Sequence, residues 1–364
     1  MANESMSDPI LDLARPEVLA LQPYASARAL ADSAGILLNA NESPWAPDGD
    51  EGQQLNRYPD PQPPELRRRL AERYDVPEAR LLITRGSDEG IDLLIRAFCR
   101  ADQDPVIVCP PCFGMYALSA RIQGAPVKAV PLIDDGAQWR LDEDGLRAAL
   151  PARLVFLCSP NNPTGNEISS ATVESLCRSI LGQGLVVVDE AYIEFSEAES
   201  MSRLIDRHPN LVILRTLSKA YALAGCRLGS LIADTRVIGL LRRIIAPYPL
   251  PTPSVRAGLT ALAGPDRLER QLSELAEQKK RLVAGLERLP GIQRLWPGQA
   301  NFVLIRVADA EALIARAAEA GIRLRNQSAQ PGLDNCVRIT IGSAEETTRL
   351  LDFLESTHAQ EPVQ

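Results

Sequence analysis

Short apolar runs alternate with amphipathic stretches from about residue 80 to residue 235. LLIT (81–84) precedes GSDEGIDLLIRAFCR, VIV (106–108) precedes PPCFGMYALSARIQG, and LVFLC (154–158) runs into SPNNPTG. LVVV (185–188) runs into DEAYIEF, LVILRTLS (211–218) into a lysine segment, and RLGSLIA (227–233) closes the series. Runs of this length, rich in β-branched residues and separated by helical patterns, predict buried strands of a mostly parallel α/β sheet. A second pattern begins near residue 260. In DRLERQLSELAEQKKRLVAGLERL (266–289), Leu268, Leu272, Leu275, Leu282, Leu286 and Leu289 share one stripe, which predicts an amphipathic helix. NFVLIRV (301–307), a helix over 309–320, IRLR (322–325) and VRITIG (337–342) then suggest a small α/β domain. The proline-rich YPLPTP (248–253) marks the boundary, because proline ends regular structure.

The 364 residues are 45% hydrophobic and 24% charged, a globular mix long enough for two domains. A formal net charge of −8 argues against a nucleic-acid backbone or an anionic membrane as the main partner. The Arg67-Arg68-Arg69 run lies in a helical pattern, PELRRRLAERY, and reads as a solvated face. No stretch has the length of a membrane span, and MANESMSDPI has neither a basic start nor an apolar signal core, so a cytoplasmic protein is expected. Seven scattered cysteines read as reduced core residues. Cys109-Pro-Pro-Cys112 has redox or metal spacing, but without a second pair or a nearby histidine it reads as packing. With only His208 and His358, a histidine triad or a histidine-rich metal site is nearly excluded, and no metal is expected.

In open α/β sheets, ligands bind beyond the carboxyl ends of the strands. After LLIT come Gly86, Ser87, Asp88 and Glu89 as a helix begins, which suits either a phosphate or an ordinary helix cap. Neither a P-loop nor a G-x-G-x-x-G occurs, so nucleotide binding loses its best signals. After LVVV comes Asp189, costly to bury unless it meets a cation, although a capping role is common. After LVILRTLS comes Lys219, and eight residues later Arg227. Together these groups ask for a flat cofactor bearing a phosphate, an aldehyde and a basic ring nitrogen. Pyridoxal phosphate fits each part: a lysine forms the Schiff base and an acid holds the ring nitrogen protonated. Ser87, Ser218 and Arg227, with helix-end amides, would bind the phosphate.

SPNNPTG, VVDEAY, TLSKAYALAGCRLG and VRITIG, in this order, resemble the motif set of the fold type I, class II aminotransferases. LQPYASAR (21–28), LNANESPW (38–45), NRYPDPQP (56–63), RGSDEGIDLLIRAF (85–98) and YPLPTP narrow the resemblance to the histidinol-phosphate aminotransferase family, over about Tyr24 to Gly342. The resemblance implies that Lys219 carries the cofactor and shuttles the proton, and that Asp189 pairs with the pyridine nitrogen. Asn162 and Tyr192 would bond the phenolic oxygen, and Phe113 would stack on the ring. Ser87, Asp88, Ser218 and Arg227 would lie at the phosphate. Tyr58 would reach the cofactor phosphate of a partner subunit, which implies a homodimer with shared sites. Tyr24, Arg325 and Arg338 would face substrate, whereas the residues alone also allow Arg323, Arg325 and Arg338 to be strand-edge surface charges. Cys112 stands where threonine is commoner in the family, and Phe113 where tyrosine is frequent; stacking needs only the ring.

The expected organisation is an N-terminal segment (1–45) packing with the small domain, a large pyridoxal-phosphate-binding domain (46–259), and a small domain (260–364). About seven residues at the end of the small domain are expected to lack fixed structure. The activity implied is transfer of an amino group between glutamate/2-oxoglutarate and imidazole acetol phosphate/L-histidinol phosphate in histidine biosynthesis. An aromatic amino acid aminotransferase and a threonine-phosphate decarboxylase-like enzyme remain alternatives, as does a non-catalytic cofactor-binding protein on the same fold.

Overall fold

The computed structural model describes residues 8–24 and 35–358. The strands are β1 (Leu81–Thr84), β2 (Val106–Val108), β3 (Val127–Ala129), β4 (Ile133–Asp134), β5 (Trp139–Arg140), β6 (Leu154–Cys158), β7 (Leu185–Asp189), β8 (Leu211–Thr216) and β9 (Gly229–Ile232). Then come β10 (Arg294–Trp296), β11 (Phe302–Arg306), β12 (Arg325–Asn326) and β13 (Cys336–Thr340). The helices are α1 (Pro16–Ala20), α2 (Pro64–Tyr74), α3 (Gly86–Phe98), α4 (Met115–Gln123), α5 (Glu143–Ala149) and α6 (Ser170–Ser179). They continue with α7 (Thr235–Leu241), α8 (Thr252–Leu262), α9 (Pro265–Leu286), α10 (Ala310–Glu319) and α11 (Ala344–His358).

Seven strands form the large sheet in the order β1-β9-β8-β7-β6-β2-β3. Its ladders are parallel from β3 through β2, β6 and β7 to β8, and β9 runs antiparallel to both β8 and β1. The apolar runs are continuous because both faces are covered. On β7, Val186 and Val188 join one core while Leu185 and Val187 join the other. On β8, Leu211 and Ile213 face the first core, and Val212 and Leu214 the second. Alternation along a strand sends successive side chains to opposite faces, so a sheet buried on both sides shows no polar period.

The small sheet, antiparallel in the order β10-β11-β13-β12, packs with Leu282, Leu286, Leu313 and Leu354 into a third core. Helix α9 joins the two regions. Its Leu268 belongs to a core of the large sheet, and its Leu282 and Leu286 to the small one. The single leucine stripe therefore serves two cores in turn.

Two expectations change. The N-terminal segment does not pack with the small domain along its described first part. Ile10, Leu13, Ala14 and Val18 join the large-sheet core that holds Leu94, Phe98 and Leu240. Polar ties hold it there. The Arg15 amide donates to Ala97 O at 2.9 Å, Arg153 Nη1 donates to Leu13 O at 3.0 Å, and Arg236 pairs with Asp8 at 3.1 Å. The strand expected over IRLR (322–325) also shifts to Arg325–Asn326, while Ile322 and Leu324 pack against the small core and Arg323 Nη1 donates to Ala318 O in α10 at 3.0 Å. Short β3, β4, β5 and β10 lack the apolar density that marks the other strands. Residues 359–364, expected to lack fixed structure, lie outside the described residues.

Candidate active site

The segments that follow β1, β2, β6, β7 and β8 of the large sheet all contribute to one cavity of about 640 Å³. The turn after β1 brings Ser87 and Asp88, and the loop after β2 brings Phe113. The loop after β6 brings Asn162. The end of β7 brings Asp189 and Tyr192, and the loop after β8 brings Ser218, Lys219 and Arg227. The small sheet supplies Arg325 from β12 and Arg338 from β13. Residues from Ser87 to Arg227 thus share a single space because parallel strands deliver their carboxyl ends to one edge of the sheet, and the small sheet closes over it.

Asp189 is 2% exposed. Its Oδ2 accepts from the Tyr116 hydroxyl at 2.8 Å, and its Oδ1 accepts from the Ala191 amide at 3.0 Å. Burial raises its carboxyl to about 6, opposed by these two donors and by Lys219. The Lys219 Nζ makes no hydrogen bond or ion pair among the described residues; it lies 5.6 Å from the centre of the Tyr192 ring. Partial burial first, then the charge of Arg338, lowers its pKa, with Asp189 and Asp88 acting the other way. An amine held free of partners and easier to deprotonate than usual is prepared for carbonyl chemistry.

At one end of the cavity, Arg227 is fixed in the left-handed region (φ 52°). Its Nη1 donates to Ser218 Oγ at 3.2 Å and its Nη2 to Asp88 Oδ2 at 3.0 Å. Gly86 makes the approach possible, since a Cβ there would stand 2.4 Å from Arg227 Nη2. Gly229 on β9 does the same for the backbone: a Cβ would stand 2.3 Å from Gly86 C and 2.5 Å from Ser87 N. Two glycines therefore seat the positive end of α3 beside a guanidinium and a serine hydroxyl, the donor set an anion needs.

At the other end, Asn162 Nδ2 donates to the Tyr192 hydroxyl at 3.3 Å, and Asn162 Oδ1 accepts from Arg338 Nη1. Burial raises the Tyr192 pKa. Arg338 lies over the Phe302 ring at 5.2 Å, and its buried Nε has no partner. Arg325 and Arg338 are directly opposed across β12 and β13. Like charges facing each other across a ladder destabilise it unless an anion joins them. Burial first, then Arg325, lowers the Arg338 pKa.

Two sequence-predicted residues stand apart. Tyr24 is 73% exposed and does not line the cavity. Tyr58, 48% exposed, stacks on Tyr248 at 4.4 Å instead. Three residues escaped the sequence reading. Gln327 and Gln330 line the cavity from the loop before β13, and Gln330 Oε1 accepts from the Cys112 amide in the loop after β2 at 2.8 Å. Tyr116 reaches Asp189 from α4. No local sequence signal marked it, because the bond joins residues 73 apart in the chain. Cys112 is a free thiol on the cavity wall, its pKa raised to about 12 by burial.

These groups fit pyridoxal phosphate in each of its parts: a partner-free amine for the aldehyde, a buried carboxylate for the ring nitrogen, and the Gly86–Arg227 cradle for the phosphate. The aminotransferase class I and II family matches residues 35–354. The histidinol-phosphate aminotransferase of Xylella fastidiosa (strain 9a5c) is 48% identical over 96% of this chain and 97% of its own length. That of Stenotrophomonas maltophilia (strain R551-3) is 46% identical over 97% and 98%. Among solved structures, the Sinorhizobium meliloti histidinol-phosphate aminotransferase in complex with pyridoxal-5'-phosphate is 26% identical with a TM-score of 0.75, covering 83% of both chains. The Clostridium acetobutylicum enzyme of that name shares the fold at 22% identity and a TM-score of 0.78, covering 85% of this chain and 92% of its own. Match, coverage and cavity agree, and the chain belongs to the class I and II aminotransferases.

Proposed function

We propose that this chain is a histidinol-phosphate aminotransferase that uses pyridoxal phosphate to exchange an amino group between glutamate and imidazole acetol phosphate. The observation that carries this is the meeting of Lys219, Asp189 and the opposed pair Arg325 and Arg338 in one cavity. Pyridoxal phosphate, when bound, supplies the aldehyde that exchanges for an amine and the ring that takes up the electron pair released at the substrate Cα. Lys219 Nζ would hold that aldehyde and, once displaced, take and return the Cα proton. Asp189 would keep the ring nitrogen protonated. Ser87, Ser218, Arg227 and the Asp88 amide at the start of α3 would hold the phosphate, with the Asp88 carboxylate orienting Arg227. Phe113 would cover one face of the ring, and Asn162 and Tyr192 would bond its phenolic oxygen.

Arg338 and Arg325 would bind the anionic groups of both substrates in turn. A guanidinium fork grips carboxylate and phosphate alike, so one pair serves glutamate and the phosphorylated amine. Tyr24 and Tyr58, outside this chain's cavity, would act in a homodimer, with Tyr58 serving the partner's site. Most of the large apolar side chains left exposed, among them Tyr24, Ile36, Leu38 and Trp45, belong to residues 19–58, as a covered subunit face requires. No helix among the described residues is long and apolar enough to cross a membrane, and all seven cysteines are free thiols, which supports work in the cytoplasm.

The test is a half-reaction screen. Purified holoenzyme is mixed separately with L-histidinol phosphate, glutamate, phenylalanine, tyrosine and threonine phosphate while the cofactor absorbance is followed. Conversion by both histidinol phosphate and glutamate is expected. Efficient turnover of phenylalanine without histidinol phosphate, or release of carbon dioxide from threonine phosphate, would replace this reading with an aromatic aminotransferase or a decarboxylase.

A further inference from the structure

Tyr116 heads the fully buried side chains by size. Its ring stacks on Phe156 at 4.9 Å with planes 7° apart, and it meets Phe113 edge-on at 5.7 Å. Held on both sides, the ring has one direction in which to send its hydroxyl, and that direction ends on Asp189 Oδ2 at 2.8 Å. Tyr116 does not line the cavity, so it approaches Asp189 from the protein side while Asp189 itself faces the cavity.

We propose that Tyr116 is a positioning residue for the cofactor, its hydroxyl holding Asp189 ionised and aimed at the pyridine nitrogen. This rests on the reading of Asp189 as the partner of that nitrogen. A phenol suits the task better than a cation. An arginine in its place would neutralise the carboxylate before the cofactor arrived, whereas a neutral donor supports the charge and leaves it available.

The surroundings agree. Burial is the largest influence on Asp189 and favours its neutral form, and Tyr116 leads the groups that oppose it. The other groups facing Asp189 are the Ala191 amide, Lys219 from the loop after β8, Asp88 from α3, Tyr192, and Cys158, its neighbour on β6. Burial and the Asp189 charge push the Tyr116 phenol far up, so it stays a donor at working pH.

The experiment measures pyridoxal phosphate affinity of the cofactor-free protein by fluorescence quenching across the acid range, for wild type, Tyr116→Phe and Asp189→Asn. Comparing variants at each pH cancels the cofactor's own titration. Tyr116→Phe keeps both ring contacts and removes only the hydroxyl. The pH below which affinity falls should rise by about one unit in Tyr116→Phe, with binding there about tenfold weaker, while at alkaline pH the two proteins agree. Asp189→Asn should abolish the step. If Asp189→Asn abolishes it and Tyr116→Phe leaves it in place, Tyr116 is packing alone and the proposal falls by itself. If Asp189→Asn keeps the wild-type step, the pairing of Asp189 with the cofactor falls and the proposal falls with it. Should Tyr116→Phe not fold, 3-fluorotyrosine at position 116, a stronger donor of nearly the same shape, must move the step to lower pH; an unmoved step overturns the proposal.

Discussion

At the scale of single residues, the site sets an amine and a carboxylate against their ordinary protonation. Lys219→Ala should still bind pyridoxal phosphate yet lose the half-reaction by at least about a thousandfold, as expected for removal of both the covalent anchor and the proton carrier. Stopped-flow absorbance with histidinol phosphate checks this, and near-normal turnover would reject the mechanism. Arg338→Ala should cost on the order of 2–4 kcal/mol in kcat/KM for glutamate and histidinol phosphate together, since one guanidinium would grip both anions. Loss for only one substrate would separate their binding sites. Asp189 carries a pH signature in the cofactor-free protein. Burial raises its carboxyl to about 6, above the ordinary 3.8, so the fold prefers the neutral acid. That preference stabilises the chain below the unfolded pKa and is lost as pH rises through about 6. Cofactor-free Asp189→Asn should therefore exceed wild type in stability by at most roughly 3 kcal/mol at alkaline pH, the advantage disappearing in acid; denaturant titrations at both ends measure it.

At the scale of elements, glycine decides what the apolar pattern does not. The strand LLIT and the amphipathic helix after it are legible from their periods, but the closeness of the β9 backbone to the start of α3 is not. Gly229→Ala would place a methyl 2.3 Å from backbone at Gly86, which cannot yield as a side chain tip would. The start of α3 must then move away from Arg227, with a loss of about 1–3 kcal/mol in stability and weaker cofactor binding, read by urea denaturation and cofactor titration. Helix α9 was visible as one leucine stripe, yet its division between two cores depends on where the β11–β13 sheet lies. Residues 10–18 show the same gap. Their apolar side chains announce burial but carry no label for which core receives them.

At the scale of the whole molecule, the proposed homodimer with shared sites predicts complementation. Lys219→Ala and Tyr58→Ala chains, each inactive alone, should recover activity when mixed and refolded. With random pairing, about a quarter of the sites would be intact, because half the dimers are mixed and each holds one sound site. Activity assays with sedimentation check this, and no recovery in a demonstrated dimer would place Tyr58 outside the site. The sequence by itself determined the α/β class, six of the seven large-sheet strands, the family, and the choice of Lys219, Asp189, Asn162 and Arg227 as residues that meet in one cavity. Those features are local: a period, a turn, or a reactive group at the end of an apolar run. Only the tertiary structure decided that Tyr116 bonds Asp189, that Gln330 bridges to Cys112, that Arg325 opposes Arg338, and that residues 10–18 pack on the large sheet. Each of these is a contact between residues distant in sequence, set by strand order, register and the space that packing leaves, and no short stretch of chain encodes it.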